Sequence, residues 1–268
     1  MLKFISLGSG SSGNCYYLAT DTDGLLIDAG VGIRLIKKHF AEKNISLQND
    51  VNHLLITHDH ADHIKSVGYI SCDYTVPVYA VNDVHNGIER NYSVHKKVPG
   101  AMKRVLECGT TVTIGDFTVT PFKVPHDSSG NVGYCIEADG VVFCIMTDVG
   151  HVTDEMQEYV AKANYLVLEA NYDVDMLRDG NYPQHLKERI QSPTGHLSNK
   201  ECGETIANYA TSELRHVWLC HLSEENNHPV LAQKTVEQVL RSYGLIAGKD
   251  FAVDVLKRRL PSEIYELK

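Results

Sequence analysis

Residues 54–63 read Leu-Leu-Ile-Thr-His-Asp-His-Ala-Asp-His, which crowds three imidazoles and two carboxylates into six positions. An apolar, strand-like run ends at His58. The loop that follows brings His58 and His60 to one side, and Asp62 and His63 open the next helix facing a neighbouring point. Imidazole nitrogen and carboxylate oxygen are ligands that Zn²⁺, Mn²⁺ and Fe²⁺ accept. Further ligand-type residues stand where other strand-like runs end: His126 after Thr118–Pro125, Asp148 after Val141–Thr147, and His221 after Val217–Cys220. Strands lying side by side would line these residues along one rim, where α/β proteins build their sites. The chemistry such a cluster serves is hydrolysis. Two cations ~3.5–4 Å apart lower the pKa of a bound water and stabilise the attacking and leaving oxygens of a phosphoryl transfer.

The elements that must position these residues are legible from periodicity. Short β-branched runs occupy Lys3–Leu7, Tyr16–Ala19, Gly24–Ile27, Val51–Thr57, Val76–Ala80, Thr111–Ile114, Phe117–Val124, Gly133–Ala138 and Val141–Met146, and later Tyr165–Glu169, His216–Cys220 and Phe251–Val255. Ala138-Asp139-Gly140-Val141 marks a hairpin with an Asp-Gly turn. Helical patterns cover Gly32–Glu42, Asp62–Ile70, Thr153–Lys162, Asn199–Thr211 and Leu231–Tyr243. Hairpin-rich sheets interleaved with helices give an α/β fold of two mixed β-sheets flanked by helices, an αββα sandwich. No repeat or Pro/Gly/Ser linker divides the chain, so residues 1–268 read as a single domain.

Composition narrows the setting. Hydrophobic residues make up 43% of the chain, enough for a packed core. No stretch approaches the ~18–20 uninterrupted apolar residues of a membrane span. Met1–Ile5 runs straight into a strand, without the apolar region and cleavage site of a signal peptide. The seven cysteines are odd in number, widely spaced and form no CxxC, which argues against a disulfide framework and a thiolate zinc site. A cytoplasmic protein without a membrane partner is the expectation. The formal charge of −9 counts against non-specific nucleic-acid binding by charge alone. It leaves room for a nucleic-acid enzyme whose site carries cations, because those charges are missing from the sequence sum.

HxHxDH after an apolar strand, then His126, Asp148 and His221 in that order, resembles the metallo-β-lactamase superfamily over residues 1 to about 225. The resemblance implies two divalent metal ions (Zn, Mn or Fe), one held by His58, His60 and His126, the other by Asp62, His63 and His221, with Asp148 bridging. Further segments resemble the YycJ/WalJ-type 5′→3′ exonucleases. The loop Gly8-Ser9-Gly10-Ser11-Ser12-Gly13-Asn14 lies beside the metal site in that family, although a plain glycine turn is a competing reading. Gly195-His196-Leu197-Ser198-Asn199 precedes a helix. RNase Z-type phosphodiesterases carry a comparable histidine that serves the leaving oxygen and pairs with a carboxylate, and Glu169 matches that position. The competing reading is that His196 braces its loop. Asn171–Ser192 and Leu222–Asn227 resemble the same branch. The chain is too short for a β-CASP insertion and lacks an RNase Z-type arm.

The resemblance therefore implies a DNA exonuclease, with RNA-processing relatives. Asp62, His196 and Glu169 are its candidate catalytic residues. Ser12, Asn14, Ser223 and Asn226 are its candidate substrate contacts. Lys96, Lys97, Lys187 and Arg189 could grip phosphates if they converge, a solvated charged face being the ordinary alternative. His151, three residues after Asp148, could support the bridge. A glyoxalase II-like thioester or lactone hydrolase would use the same metals without His196 and Glu169. A binding module with a vestigial site is the non-enzyme reading, and no protein partner can be inferred.

Overall fold

The computed structural model describes Met1–Lys268 and contains two seven-stranded sheets packed face to face. The first comprises β1 (Leu2–Gly8), β2 (Cys15–Ala19), β3 (Gly24–Ile27), β4 (His53–Leu55), β5 (Val78–Val81), β6 (Lys103–Leu106) and β14 (Tyr265–Leu267), in the order β14-β1-β2-β3-β4-β5-β6. The second comprises β7 (Val112–Ile114), β8 (Phe117–Lys123), β9 (Val132–Ala138), β10 (Val141–Met146), β11 (Tyr165–Glu169), β12 (His216–Cys220) and β13 (Ala252–Val255), in the order β13-β12-β11-β10-β9-β8-β7. Alternate residues of each strand face opposite layers. Phe4, Tyr16 and Ile27 turn inward to meet Tyr134, Phe143 and Trp218 in the core between the sheets. Phe4 and Trp218 pack with ring centroids 4.7 Å apart.

Their alternates, such as Ile5, Leu26 and Leu54, turn outward under α1 (Ile33–Glu42), α2 (Ala61–Ile64), α3 (Val67–Tyr74) and α4 (Asn82–Arg90). Leu166, Leu168 and Leu219 of the second sheet lie under α5 (Asp154–Lys162), α8 (Asn199–Tyr209) and α9 (Pro229–Ser242). Both faces of the central strands are buried, which is why they read as continuous apolar runs. This is the expected αββα sandwich. The Asp139-Gly140 turn has φ of 51° and 75°, the double left-handed conformation of a type I′ hairpin.

Three pairings fix the working rim. β3 and β4 run parallel, as do β10 and β11, and β11 and β12. The C-terminal ends of these strands therefore point the same way, and each delivers its next residue to one edge of the sandwich.

The helix expected over Asp62–Ile70 is two helices, α2 and α3. At the break, the Ser66 N–H donates to Ala29 O (2.7 Å) and the Ser66 hydroxyl to Val31 O (2.7 Å), tying the helices to the loop after β3. Five elements were not among those expected: β6, β14, α4, α6 (Val174–Asp179) and α7 (Gln184–Ile190). β6 and β14 are sheet-edge strands of four and three residues, too short for alternation to register. No helix is long and apolar enough to cross a membrane, and all seven cysteines are free.

Candidate metal centre

His58, His60, Asp62 and His63 leave β4 together, and His126, Asp148 and His221 arrive from beyond the ends of β8, β10 and β12. Ligand atoms of His58, His60, His126 and Asp148 lie within 4.8 Å of one another, as do those of Asp62, His63 and His221. Asp148 stands between the two groups. Its Oδ1 is 3.9 Å from His58 Nε2 and 3.6 Å from His126 Nε2, while its Oδ2 is 3.2 Å from His63 Nε2. All seven residues singled out by spacing and order thus converge.

Four of the five imidazoles are oriented by a partner on the far nitrogen, His60 being the exception. His63 Nδ1 donates to Asp28 Oδ2 (2.7 Å), His126 Nδ1 to Gly195 O (2.9 Å), His221 Nδ1 to Glu169 Oε1 (2.8 Å), and His58 Nδ1 to Thr57 Oγ1 (3.0 Å). Thr57 in turn donates to Asp28 (2.9 Å). These bonds select the tautomer that points an Nε2 lone pair inward. Asp28 was not among the expected site residues. It follows β3 as His58, Asp148 and His221 follow their runs, so the strand-then-ligand pattern contained it.

Asp28, Asp148 and His221 adopt positive φ of 61°, 57° and 52°. A non-glycine residue held in such a well costs of order 1–3 kcal/mol and persists only where its surroundings over-determine it. Gly30 meets a different demand, since a Cβ there would overlap the Asp62 carbonyl oxygen.

The cluster fits cations on two counts. His58 Nε2 is buried and has no hydrogen-bond partner. Asp28, Asp148 and Glu169 are buried and Asp62 is 23% exposed, yet they pair only with histidines, with no Lys or Arg. Buried carboxylates need compensating positive charge. Without metal the imidazoles must supply it. Burial alone would lower His63, but Asp28 and Asp148 outweigh it and push its pKa up to about 10. Burial, reinforced by neighbouring His63, holds His58 well below the ordinary histidine value.

A second constellation adjoins the first. His196 Nδ1 donates to Glu169 Oε1 (2.9 Å), the same oxygen that accepts from His221. Glu169 Oε2 accepts from Val149 N (2.7 Å) and Leu197 N (3.0 Å). Burial would raise this carboxyl, but His196 and His221 override it and bring its pKa down to about 2. Glu169 has no exposed surface, so it acts only through its histidines. His196 is 16% exposed at the mouth of the cluster and keeps Nε2 for an outside partner. The expected pairing is present, and Glu169 also orients a ligand-type histidine.

The candidate substrate contacts need revision. Ser12 is exposed on the Gly8–Asn14 loop. Asn14 is fully buried inside the cluster, with its amide 2.9 Å from His63 Nε2 and 3.4 Å from Asp62 Oδ2. Ser223 and Asn226 are buried as well and hold their own loop: Ser223 Oγ accepts from Asn226 N (3.2 Å), and the Ser223 carbonyl accepts from Arg258. These three organise the site and offer little surface to a substrate.

The four basic residues do not converge. Lys96 pairs with Asp73, Lys97 donates to Asn91 O (2.9 Å) and Lys187 to Arg178 O (2.7 Å). Only Arg189 reaches the rim, where it is matched by Asp127 (2.5 and 3.0 Å). His151 turns to Pro193 O (2.8 Å), away from Asp148.

A sandwich of this topology with this cluster on its rim defines the metallo-β-lactamase class. A family model described as "Beta-lactamase superfamily domain" matches residues 24–222, and the chain belongs to that superfamily as a metal-dependent hydrolase. More particularly, it is 36% identical to "Exodeoxyribonuclease YycJ" of Bacillus anthracis over 98% of both chains. It is 38% identical to "Exodeoxyribonuclease WalJ" of Streptococcus pneumoniae over 94% of this chain and 93% of the relative. Among solved structures, the metallo-β-lactamase fold protein YhfI of Bacillus subtilis superposes with a TM-score of 0.72 at 17% identity, covering 97% of this chain and 98% of that one. Zn²⁺-bound PqqB of Methylobacterium extorquens gives the same TM-score and identity over 97% and 99%. These two likenesses concern the fold.

Proposed function

We propose that this chain is a binuclear phosphodiesterase that removes nucleotides from the 5′ end of DNA. The observation that carries the reading is the His196–Glu169 pair at the mouth of the seven-residue cluster. A thioester or lactone hydrolase would leave it without a task. The near-full-length similarity to two proteins named exodeoxyribonucleases supports DNA as the substrate.

His58, His60 and His126 would hold one divalent ion, Asp62, His63 and His221 the other, and Asp148 would touch both. Zn²⁺, Mn²⁺ and Fe²⁺ all suit these donors. When bound, such a pair neutralises phosphoryl charge and lowers the pKa of water. Asp28, Thr57, Glu169 and the Gly195 carbonyl fix His63, His58, His221 and His126 in the tautomer that binds. His196 Nε2 carries a proton to the departing sugar oxygen, and Glu169 keeps that ring charged and aimed. General acid catalysis of this kind is typically worth ~10²–10⁴-fold. We take the whole chain as one domain, and the cytoplasm as its compartment, since all seven thiols are free.

The test is digestion of 5′- and 3′-labelled DNA and RNA with Mn²⁺ or Zn²⁺, beside p-nitrophenyl phosphodiester and thioester controls. Release of mononucleotides from the 5′ end of DNA is expected. Turnover confined to the thioester would overturn the reading.

A further inference from the structure

We propose that a groove between the start of α1 and the α2–α3 junction seats single-stranded nucleic acid, with bases on Tyr69 and Tyr92 and phosphates on Arg34 and Lys65. The inference rests on the phosphodiesterase reading and locates its substrate. The groove, a cleft of about 510 Å³, lies between the start of α1, the α2–α3 junction and the 92–95 loop. Its walls combine the two features that hold a single strand without reading its sequence: aromatic faces for bases and cations for the backbone.

Tyr92 is 90% exposed, an unusual position for an aromatic ring with no structural task. His95 adds a polar ring, and no carboxylate lines the groove although the chain's formal charge is −9. Pairing divides the chain's cations. Lys96, Lys103, Arg178, Arg189 and Arg259 are all matched to Asp or Glu. Arg34 and Lys65 have neither an ion pair nor a side-chain hydrogen bond, so their charge is available to an anionic ligand.

The groove is joined to the site through the chain. Lys65 follows His63 by two residues. Gly32 follows Gly30, which packs against the Asp62 backbone, by two. The Ser66 hydroxyl ties the walls together through Val31 O (2.7 Å). The groove therefore begins on the segment that carries Asp62 and His63.

The test compares an oligothymidylate long enough to fill a site of roughly 4–16 nucleotides with a dinucleotide. Tyr92→Ala should cut the kcat/KM advantage of the long strand by about 5- to 100-fold, and Tyr92→Phe, which keeps the stacking face, should restore it. The double variant Arg34→Gln/Lys65→Gln should weaken strand binding and reduce the magnitude of its log–log salt slope by about 1.4, at ~0.7 per lost phosphate contact. An unchanged length advantage and salt slope in folded, metal-replete variants would overturn the groove assignment. Fluorescence anisotropy of a labelled strand reads binding without turnover. A wild-type protein that binds the strand through these residues but cleaves neither substrate overturns the phosphodiesterase reading alone, and one that cleaves the dinucleotide but binds no strand overturns the groove alone.

Discussion

The candidate centre is built in two ways. Its N-terminal half, His58, His60, Asp62 and His63, comes from one loop and one helical turn after β4. Its C-terminal half, His126, Asp148, Glu169, His196 and His221, comes from five separate places whose meeting depends on the parallel order of β10, β11 and β12. The contiguous half draws its precision from local geometry. The dispersed half has no such help, and it shows the marks of imposed geometry: Asp148 and His221 have positive φ, and Glu169 is held by four donors. Each half also has one buried carboxylate behind its histidines. Asp28 braces His63 in the first, and Glu169 braces both His221 and His196 in the second.

The strongest way to break the comparison is to remove the residue that joins the halves. Asp148→Ala should abolish activity and lose at least one metal equivalent by elemental analysis. If both metals are retained, Asp148 does not bridge. Within the dispersed half, His196→Ala should lower turnover by about 10²–10⁴-fold with metal content near normal. Metal loss in that variant would make His196 a ligand. Glu169→Gln should be at least as damaging and should also weaken metal binding, because one carboxylate oxygen serves both rings. Equal metal affinity in Glu169→Gln and wild type would show that the His221 contact is incidental.

Asp28→Asn tests the contiguous half. It disturbs one imidazole and Thr57, and partners of this kind are typically worth 10–100-fold in metal affinity or activity. A smaller loss than that of Glu169→Gln is expected from competition with a graded chelator. If Asp28→Asn proves the more damaging, local geometry gives the first half less support than we infer.

The same contrast explains what could be read from the sequence. HxHxDH is visible because its spacing alone brings the residues together. The dispersed residues were legible as strand-end positions, and their order completed the set. Asp28 obeyed the same rule, but a carboxylate after a strand is also an ordinary turn residue, and its contact with His63 spans 35 positions. The burial of polar residues escaped the sequence reading. Asn14, Ser223 and Asn226 have the polarity of substrate contacts, yet all three are buried: Asn14 and Ser223 are spent on cluster and loop hydrogen bonds, and Asn226 bonds through its backbone. Charge pairing escaped it too: Lys96 and Arg189 look free until Asp73 and Asp127 are folded beside them. Arg34 and Lys65 are among the cations that stay unmatched, and what they share is the groove they line.

The smallest expected effect is one of stability and pH. Asp28 and Asp148 overcome burial and push His63 up to about 10, so the metal-free folded chain keeps a proton that the unfolded chain releases near the ordinary histidine value of about 6.5. A raised pKa in the folded state stabilises fully below the unfolded value and ceases to do so as pH climbs through the folded one. Metal-stripped protein should therefore lose stability steadily between about pH 6.5 and about pH 10. Metal at the inward nitrogen replaces that proton, so loaded protein should escape this decline, and its metal affinity should rise with pH because the imidazoles bind only when deprotonated. Thermal melting of chelator-treated and metal-loaded protein across this interval is the measurement, and the gap between the two Tm values should widen as pH rises. Asp28→Asn should flatten the metal-free profile by removing the first of the two carboxylates behind the shift. A metal-free Tm that stays level across the interval in wild type would mean that His63 titrates elsewhere, and that the charge of Asp28 and Asp148 is balanced by another group.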